Sequence, residues 1–276
     1  MEEWILMDNL FDVSESKSWF KTYLDEKKQS KAFLSTGYNG LDTCVDGFYK
    51  GTFNVIGARP GVGKTTLLLN LVLKNPGIPI LFFTTEISKN ILMEKLLCML
   101  TLENHKEVRS NPRHFNGSLD KLLEEFGIYK ICIVDMSCPG TNDVRQAVYG
   151  LKETPRLIFI DYFQNLFTKE SKAWEYAKNV QDLTALAKET DSTVVCASQL
   201  HRISPEFLKN LRDEKEYEPQ MSDLKETGKL EEASNCVFFL FQRDGKLVLK
   251  IAKNRLGETG YIKFGVLWGS GRMFEI

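Results

Sequence analysis

The residues best suited to chemistry lie together in Ala58-Arg59-Pro60-Gly61-Val62-Gly63-Lys64-Thr65-Thr66. An apolar run, Phe53-Asn54-Val55-Ile56, leads into this stretch, and a leucine-rich helical pattern, Leu67 to Lys74, leaves it. Strand, glycine-rich turn, Gly-Lys-Thr and helix is the context in which backbone N–H groups cradle phosphate oxygens. The helix N-terminus adds a favourable field for the anion. The nine residues are therefore candidates to bind a nucleoside triphosphate. Lys64 would reach the β- and γ-phosphates, and the Thr65 hydroxyl would complete a Mg²⁺ shell. The strict pattern begins with glycine where this chain has Ala58, with Gly57 one residue earlier.

Three strand ends supply the other candidates. Leu157-Ile158-Phe159-Ile160 ends in Asp161, a carboxylate placed to orient Mg²⁺ through its water. Hydrolysis also needs a group that polarises the attacking water. Asp161 is followed by Tyr162, so that group is sought elsewhere, and Glu86 ends the apolar run Ile80-Leu81-Phe82-Phe83-Thr84-Thr85. Glu86 is the candidate base. The competing reading makes it the acid at the start of a helix beginning at Ser88. Asp135, at another strand end, is read as structural. Gln199, after Thr193 to Ser198, is a candidate γ-phosphate sensor, or else a loop residue.

These groups need a scaffold that brings strand ends together. Apolar strands are expected at 52–57, 78–85, 128–134, 156–161 and 192–198, with helical patterns at about 64–74, 88–103, 118–126, 142–153 and 174–190. Near-continuous apolar strands with helical crossovers predict an α/β fold, a mostly parallel twisted sheet covered on both faces. Strands at 236–242, 246–253 and 259–268, joined through Asp244-Gly245 and Gly257–Gly260, predict an antiparallel extension of one edge. Residues 203–222 read as a long loop.

Composition narrows the class. The chain has 276 residues, 43% apolar and 26% charged, with net charge −1. It is no polycation, so nucleic-acid binding requires basic groups concentrated locally. Six cysteines lack paired CxxC spacing, which argues against zinc. No apolar stretch approaches the ~20 residues of a membrane span, so no membrane partner is expected. The acidic Met1-Glu2-Glu3-Trp4 is not a secretory signal, and a cytoplasmic protein is expected. Near the N-terminus, Trp19, Phe20, Tyr23 and Leu24 recur at helical spacing before the charged run Asp25 to Lys31. Such short helices pack on the main domain or dock on a neighbouring copy.

In order along about 240 residues the chain carries Ser35-Thr36-Gly37 with Gly40-Leu41-Asp42, the phosphate loop with its Arg59-Pro60, and Phe83-Thr84-Thr85-Glu86. It continues with Ile160-Asp161-Tyr162-Phe163-Gln164, Ser198-Gln199-Leu200 with Arg202, Ser222-Asp223-Leu224-Lys225-Glu226-Thr227-Gly228 with Glu231 and Ala233, and Lys253-Asn254-Arg255-Leu256-Gly257. This series resembles the DnaB-like replicative helicases, within the RecA-like ATPases. The resemblance implies a RecA-like domain over 35–276, preceded by a short helical and linker segment over 1–34. It implies rings of six, with ATP and Mg²⁺ at subunit boundaries and single-stranded DNA through the centre. Glu86 matches the family's catalytic glutamate and Gln199 its γ-phosphate sensor. Lys225, Glu226 and Gly228 match a loop that holds the DNA backbone. Lys253 and Arg255 match a basic pair projected into the neighbour's ATP site.

Lys253 and Arg255 lie two apart at a strand end, so both side chains leave one face, as a pair acting in trans on a transferring phosphoryl group would. Where the family more often has arginine, Lys225 meets phosphate as a point charge without the bidentate fork. Ser222 also suits the N-cap of a short helix. With about 35 residues before the ATPase domain, a linker helix over Trp19–Leu24 is expected, but no primase-binding collar. The expected function is an ATP-driven ring helicase on single-stranded DNA, in a bacterial or phage-infected cell. The alternative is a DnaB-like module that regulates, loads or inhibits a host replicative helicase, with a helicase loader or host replication protein as partner. A filament-forming recombination ATPase is disfavoured by the Ser222–Gly228 loop.

Overall fold

A parallel strand buried on both faces has little use for polar residues, and the most apolar runs of this sequence become the middle of one large sheet. The computed structural model describes residues 33–111, 126–166, 173–201, 217–224 and 228–276, together with Lys21, Leu24, Asp25 and Glu124. Nearly all of the predicted N-terminal helical segment lies outside the described residues, as do most of the helix expected at 118–126, most of the 203–222 loop, and Lys225 and Glu226.

The strands are β1 (Phe33–Leu34), β2 (Phe48–Tyr49), β3 (Phe53–Ala58), β4 (Ile80–Thr84), β5 (Ile131–Asp135), β6 (Leu157–Asp161), β7 (Thr193–Gln199), β8 (Cys236–Arg243), β9 (Lys246–Asn254), β10 (Gly260–Leu267) and β11 (Arg272–Glu275). The short β1 and β2 pair with each other. The other nine form one sheet in the order β11-β10-β9-β8-β3-β7-β6-β4-β5. Strands β5 to β8 in that order run parallel, and the remaining pairings are antiparallel. The predicted fold is thus observed, with β11 as an edge strand beyond the expected three. The β8–β9 hairpin turns at Asp244 and Gly245, with φ of 52° and 72°. Two consecutive positive φ values match the twist of the flanking strands.

The helices are α1 (Asn39–Val45), α2 (Lys64–Leu73), α3 (Lys89–Thr101), α4 (His105–Ser110), α5 (Thr141–Gly150), α6 (Ala173–Thr190) and α7 (Gly228–Ala233). The sheet alternates its core contacts with period two. Ile56, Phe82, Phe159 and Val195 face one apolar cluster, with α2 and α3. Val55, Phe83, Ile160 and Cys196 face the other, with α5 and α6.

Helix α2 is buried from Leu67 through Leu73, Asn70 included. The Asn70 side chain donates to the carbonyls of Thr66 (2.8 Å) and Gly271 (2.9 Å) and accepts the Met273 N–H at 2.9 Å. A buried amide satisfied on both ends costs little, and this one fastens the helix to the β10–β11 edge. The Ser35-Thr36 and Asp42 motif is likewise a clasp. The Asp42 carboxylate accepts from the Thr36 N–H (2.7 Å), the Thr36 hydroxyl (2.6 Å) and the Ser35 hydroxyl.

Candidate active site

Strand β3 ends at Ala58, and the chain turns through residues 59–63 into α2. Gly61 and Gly63 have φ of 71° and 121°, values that residues with a Cβ seldom tolerate. The first N–H groups of α2 have no intrahelical partners and face the turn. The Lys64 ammonium donates to the Ala58 carbonyl at 3.4 Å. Two strands away, β6 ends in Asp161, which is fully buried. One Asp161 oxygen accepts the Thr65 hydroxyl at 2.5 Å. The other, Oδ1, is buried without a hydrogen-bond partner. Burial pushes the Asp161 carboxyl above its usual range, and the Thr65 hydrogen bond and the Lys64 charge pull the other way. Burial pushes the Lys64 ammonium down, opposed by Asp161 and Glu86. Each of these ionised forms gains from what the other lacks: a phosphate beside Lys64 and a cation beside Asp161. Thr65 Oγ1 and the orphaned Asp161 oxygen are hard donors that suit Mg²⁺, an ion that keeps most of its water.

An open cleft of about 300 Å³ lies over the turn. Pro60, Gly61, Gly63, Lys64, Thr65 and Thr66 line it, with Glu86 and Gln199 from two further strand ends. Ala58, Arg59 and Val62 are buried beneath the loop and do not line it. Glu86 is held by its neighbours. The Thr85 N–H and hydroxyl donate to the Asp161 carbonyl at 2.8 and 3.0 Å, and the Tyr162 N–H donates back to the Thr85 hydroxyl at 3.1 Å. The Thr84 hydroxyl donates to the Ile87 carbonyl at 2.7 Å. At the start of α3 the Lys89 N–H is taken by the Asp135 carboxylate at 2.9 Å. Asp135, not Glu86, serves that helix end, and Glu86 is exposed toward the cleft.

Two contributors lie beyond the sequence reading. Lys95 of α3 lines the cleft as a further cation; its helical spacing is ordinary and gave no signal. Gln164, on the turn Phe163–Asn165 after β6, donates to the Gln199 carbonyl (3.1 Å) and the Ser198 hydroxyl (2.9 Å) and accepts the Gln199 N–H at 3.0 Å. It appeared in the sequence motif without a role.

Lys253 and Arg255 do not join the cleft. Lys253 pairs with Val237 and Val237 with Val55, three residues before Ala58. Strand rise puts that row about 10 Å from the start of the phosphate loop, at the opposite rim of the sheet. There Lys253 donates to the Glu231 carbonyl and, at 3.5 Å, to that of Glu232, and Arg255 donates to the Glu232 carbonyl. These are the last carbonyls of α7, where cations are favoured. Burial and the neighbouring Arg255 hold the Lys253 ammonium below its usual range. Gly228 is exposed at the first position of α7. Ser222 is not a helix N-cap: it lies inside the short turn Met221–Asp223, whose Asp223 carboxylate accepts the Gln220 N–H at 2.7 Å.

The model of the DnaB-like helicase C-terminal domain matches residues 34–271. Replicative DNA helicase DnaB of Buchnera aphidicola from Acyrthosiphon pisum is 28% identical over 255 residues, 83% of this chain and 53% of that protein. The Geobacillus stearothermophilus helicase of the same name is 28% identical over 255 residues, 85% of this chain and 54% of that one. The chain therefore spans about half the length of these relatives. The solved ATPase domain of G40P superposes with a TM-score of 0.80 at 23% identity, covering 96% of this chain and all of that one. A DnaB-like replicative helicase solved for its interactions with primase gives 0.77 at 22% identity, covering 96% of this chain and 67% of that one. The fold is that of these ATPase domains, and with most of its length matched the chain belongs to the DnaB-like helicase C-terminal domain family.

Proposed function

We propose that this chain is an ATP-driven motor on single-stranded DNA, working as a ring of six like subunits in which each nucleotide cleft is completed by a neighbour. The observation that carries the reading is the placement of Lys253 and Arg255 at the rim opposite their own cleft. Cations there cannot reach the nucleotide of their own subunit, and a head-to-tail neighbour can receive them. In the cleft, Lys64 and the loop N–H groups bind the phosphates, and Thr65 with Asp161 holds Mg²⁺, which neutralises developing charge when bound. Glu86 polarises the attacking water, and Gln199 reads the γ-phosphate. Lys225, Glu226 and Gly228 hold the DNA backbone. One such contact per subunit, repeated around a ring, gives a sequence-independent grip despite a net charge of −1.

Such a motor works in the cytoplasm of a bacterial or phage-infected cell, with a loader or host replication protein to open the ring. Among the described residues no helix is long and apolar enough to cross a membrane. The test pairs hydrolysis with mass. Single-stranded DNA is expected to stimulate ATP turnover, and light scattering with an ATP analogue and oligonucleotide is expected to show a hexamer. Absence of stimulation at every salt concentration overturns the reading. A monomer that captures a purified replicative helicase instead supports the regulator.

A further inference from the structure

Arg59 belongs to the phosphate loop by sequence, yet it faces away from the cleft and is 3% exposed. Its guanidinium donates to the His201 carbonyl and lies 5.0 Å from the centre of the Tyr217 ring. The His201 N–H donates to the Asp223 carbonyl at 3.3 Å, and the Tyr217 hydroxyl bonds the Asp223 side chain. Beside this, the Leu200 N–H donates to the Ala58 carbonyl at 3.1 Å, and Leu200 and Leu224 are buried in one cluster. The start of the phosphate loop, the end of the γ-phosphate-reading strand and the 217–224 segment thus form one packed unit. Asp223 is two residues from Lys225.

We propose that Arg59 is a positioning residue that couples nucleotide state to DNA grip within one subunit, through Tyr217, His201 and Asp223. This rests on the motor reading above. The chemistry explains why arginine stands here. A planar guanidinium stacks on an aromatic face while donating in its own plane, and a lysine ammonium does not combine the two. A shift of the loop on gain or loss of the γ-phosphate moves Arg59, and the ring and the carbonyl move with it.

Coupling between two ligands is reciprocal and is measured as a ratio of affinities. A fluorescent oligothymidylate is titrated by anisotropy against the full chain with Mg²⁺ and either ADP or a non-hydrolysable ATP analogue. The wild-type ratio of the two dissociation constants is expected to lie at roughly 5- to 150-fold. Tyr217→Leu removes the stacking surface and leaves the cleft untouched. Its ratio is expected to fall to within about twofold of unity, with DNA-free ATP turnover and fluorescent-ADP binding unchanged. Arg59→Lys, which keeps the charge, is expected to lose the ratio too, and Tyr217→Phe to keep most of it. Retention of the wild-type ratio in both Tyr217→Leu and Arg59→Lys overturns the inference. A wild type that binds no oligonucleotide in either state overturns the motor reading itself.

Discussion

The side-chain amide of Gln164 closes a pair of hydrogen bonds with the main chain of Gln199, accepting its N–H at 3.0 Å and donating to its carbonyl at 3.1 Å. Gln164 follows the strand that ends in Asp161, and Gln199 ends the strand between Asp161 and the phosphate loop. The strand ends carrying Asp161 and Gln199, the proposed metal and sensing sides of the cleft, are therefore set in one register by a single amide. Gln164→Leu leaves two partly buried backbone groups unpaired, at about 1–3 kcal/mol. Melting is expected to drop by a few degrees, roughly 2–4 °C per kcal/mol at this size. Steady-state kinetics are expected to show kcat reduced by about 10- to 100-fold, with fluorescent-ADP affinity retained.

Glu86→Gln removes the proposed proton acceptor and keeps the size and polarity of the side chain. Phosphate release is expected to fall by about 100-fold or more, with nucleotide binding intact. Turnover close to wild type moves the base to another residue.

The placement of Arg255 away from its own cleft makes a mixing experiment decisive. Arg255→Ala and Lys64→Ala are each expected to be inactive alone. In a mixture, up to roughly a quarter of interfaces pair an intact loop with an intact cation pair, and DNA-stimulated turnover is expected to reappear. A mixture as silent as its components places Arg255 in cis.

Glu218 ties the segment leading into Asp223 to the antiparallel strands. It bonds Lys250 (2.8 Å), the Tyr261 hydroxyl (2.8 Å) and Arg243. Lys250 foremost, then the other partners, hold its carboxyl down to about 2, from 4.5. A depressed acid contributes stability above its unfolded pKa and loses it as pH falls through the folded one. Hydrogen exchange over 217–224 is expected to be slow near neutrality and to quicken, beyond the intrinsic rate, as pH falls from 4.5 toward about 2. Glu218→Gln is expected to show the quick exchange already at neutral pH.

Hydrophobic period and turn chemistry carried most of the fold. The five parallel runs were legible because burial on both faces leaves few polar residues in them, and the Asp244-Gly245 turn because its φ values demand such a pair. The pieces missed are short. β1, β2, β11, α1, α4 and α7 have between two and seven residues, too few for a period to emerge, and they rest on tertiary contacts such as the Asp42 clasp. In the cleft, Lys64, Thr65, Glu86, Asp161 and Gln199 were legible as a group because carboxyl ends of parallel strands converge. Gln164 was not, since its work is done on a backbone 35 residues away. The spacing of Lys253 and Arg255 shows that they share a face. Which rim they occupy depends on the strand register.

The first reversal of direction along the antiparallel edge, at Asp244-Gly245, has a consequence for assembly size. It sends β9 back down the sheet, so in the assembly proposed above every protomer would carry a receptacle at one rim and its complement at the other. Two such copies joined by this contact still offer one free receptacle and one free complement, and nothing in the chemistry of the contact limits the number that follow. Closure is decided by the angle between neighbours: a planar angle shuts the chain into a ring, and a small pitch leaves a helix with a gap. In the proposed ring the same contact would therefore serve a closed circle and an open washer, and a ring admitting a strand of DNA would pass between them by tilting its subunits without changing their partners.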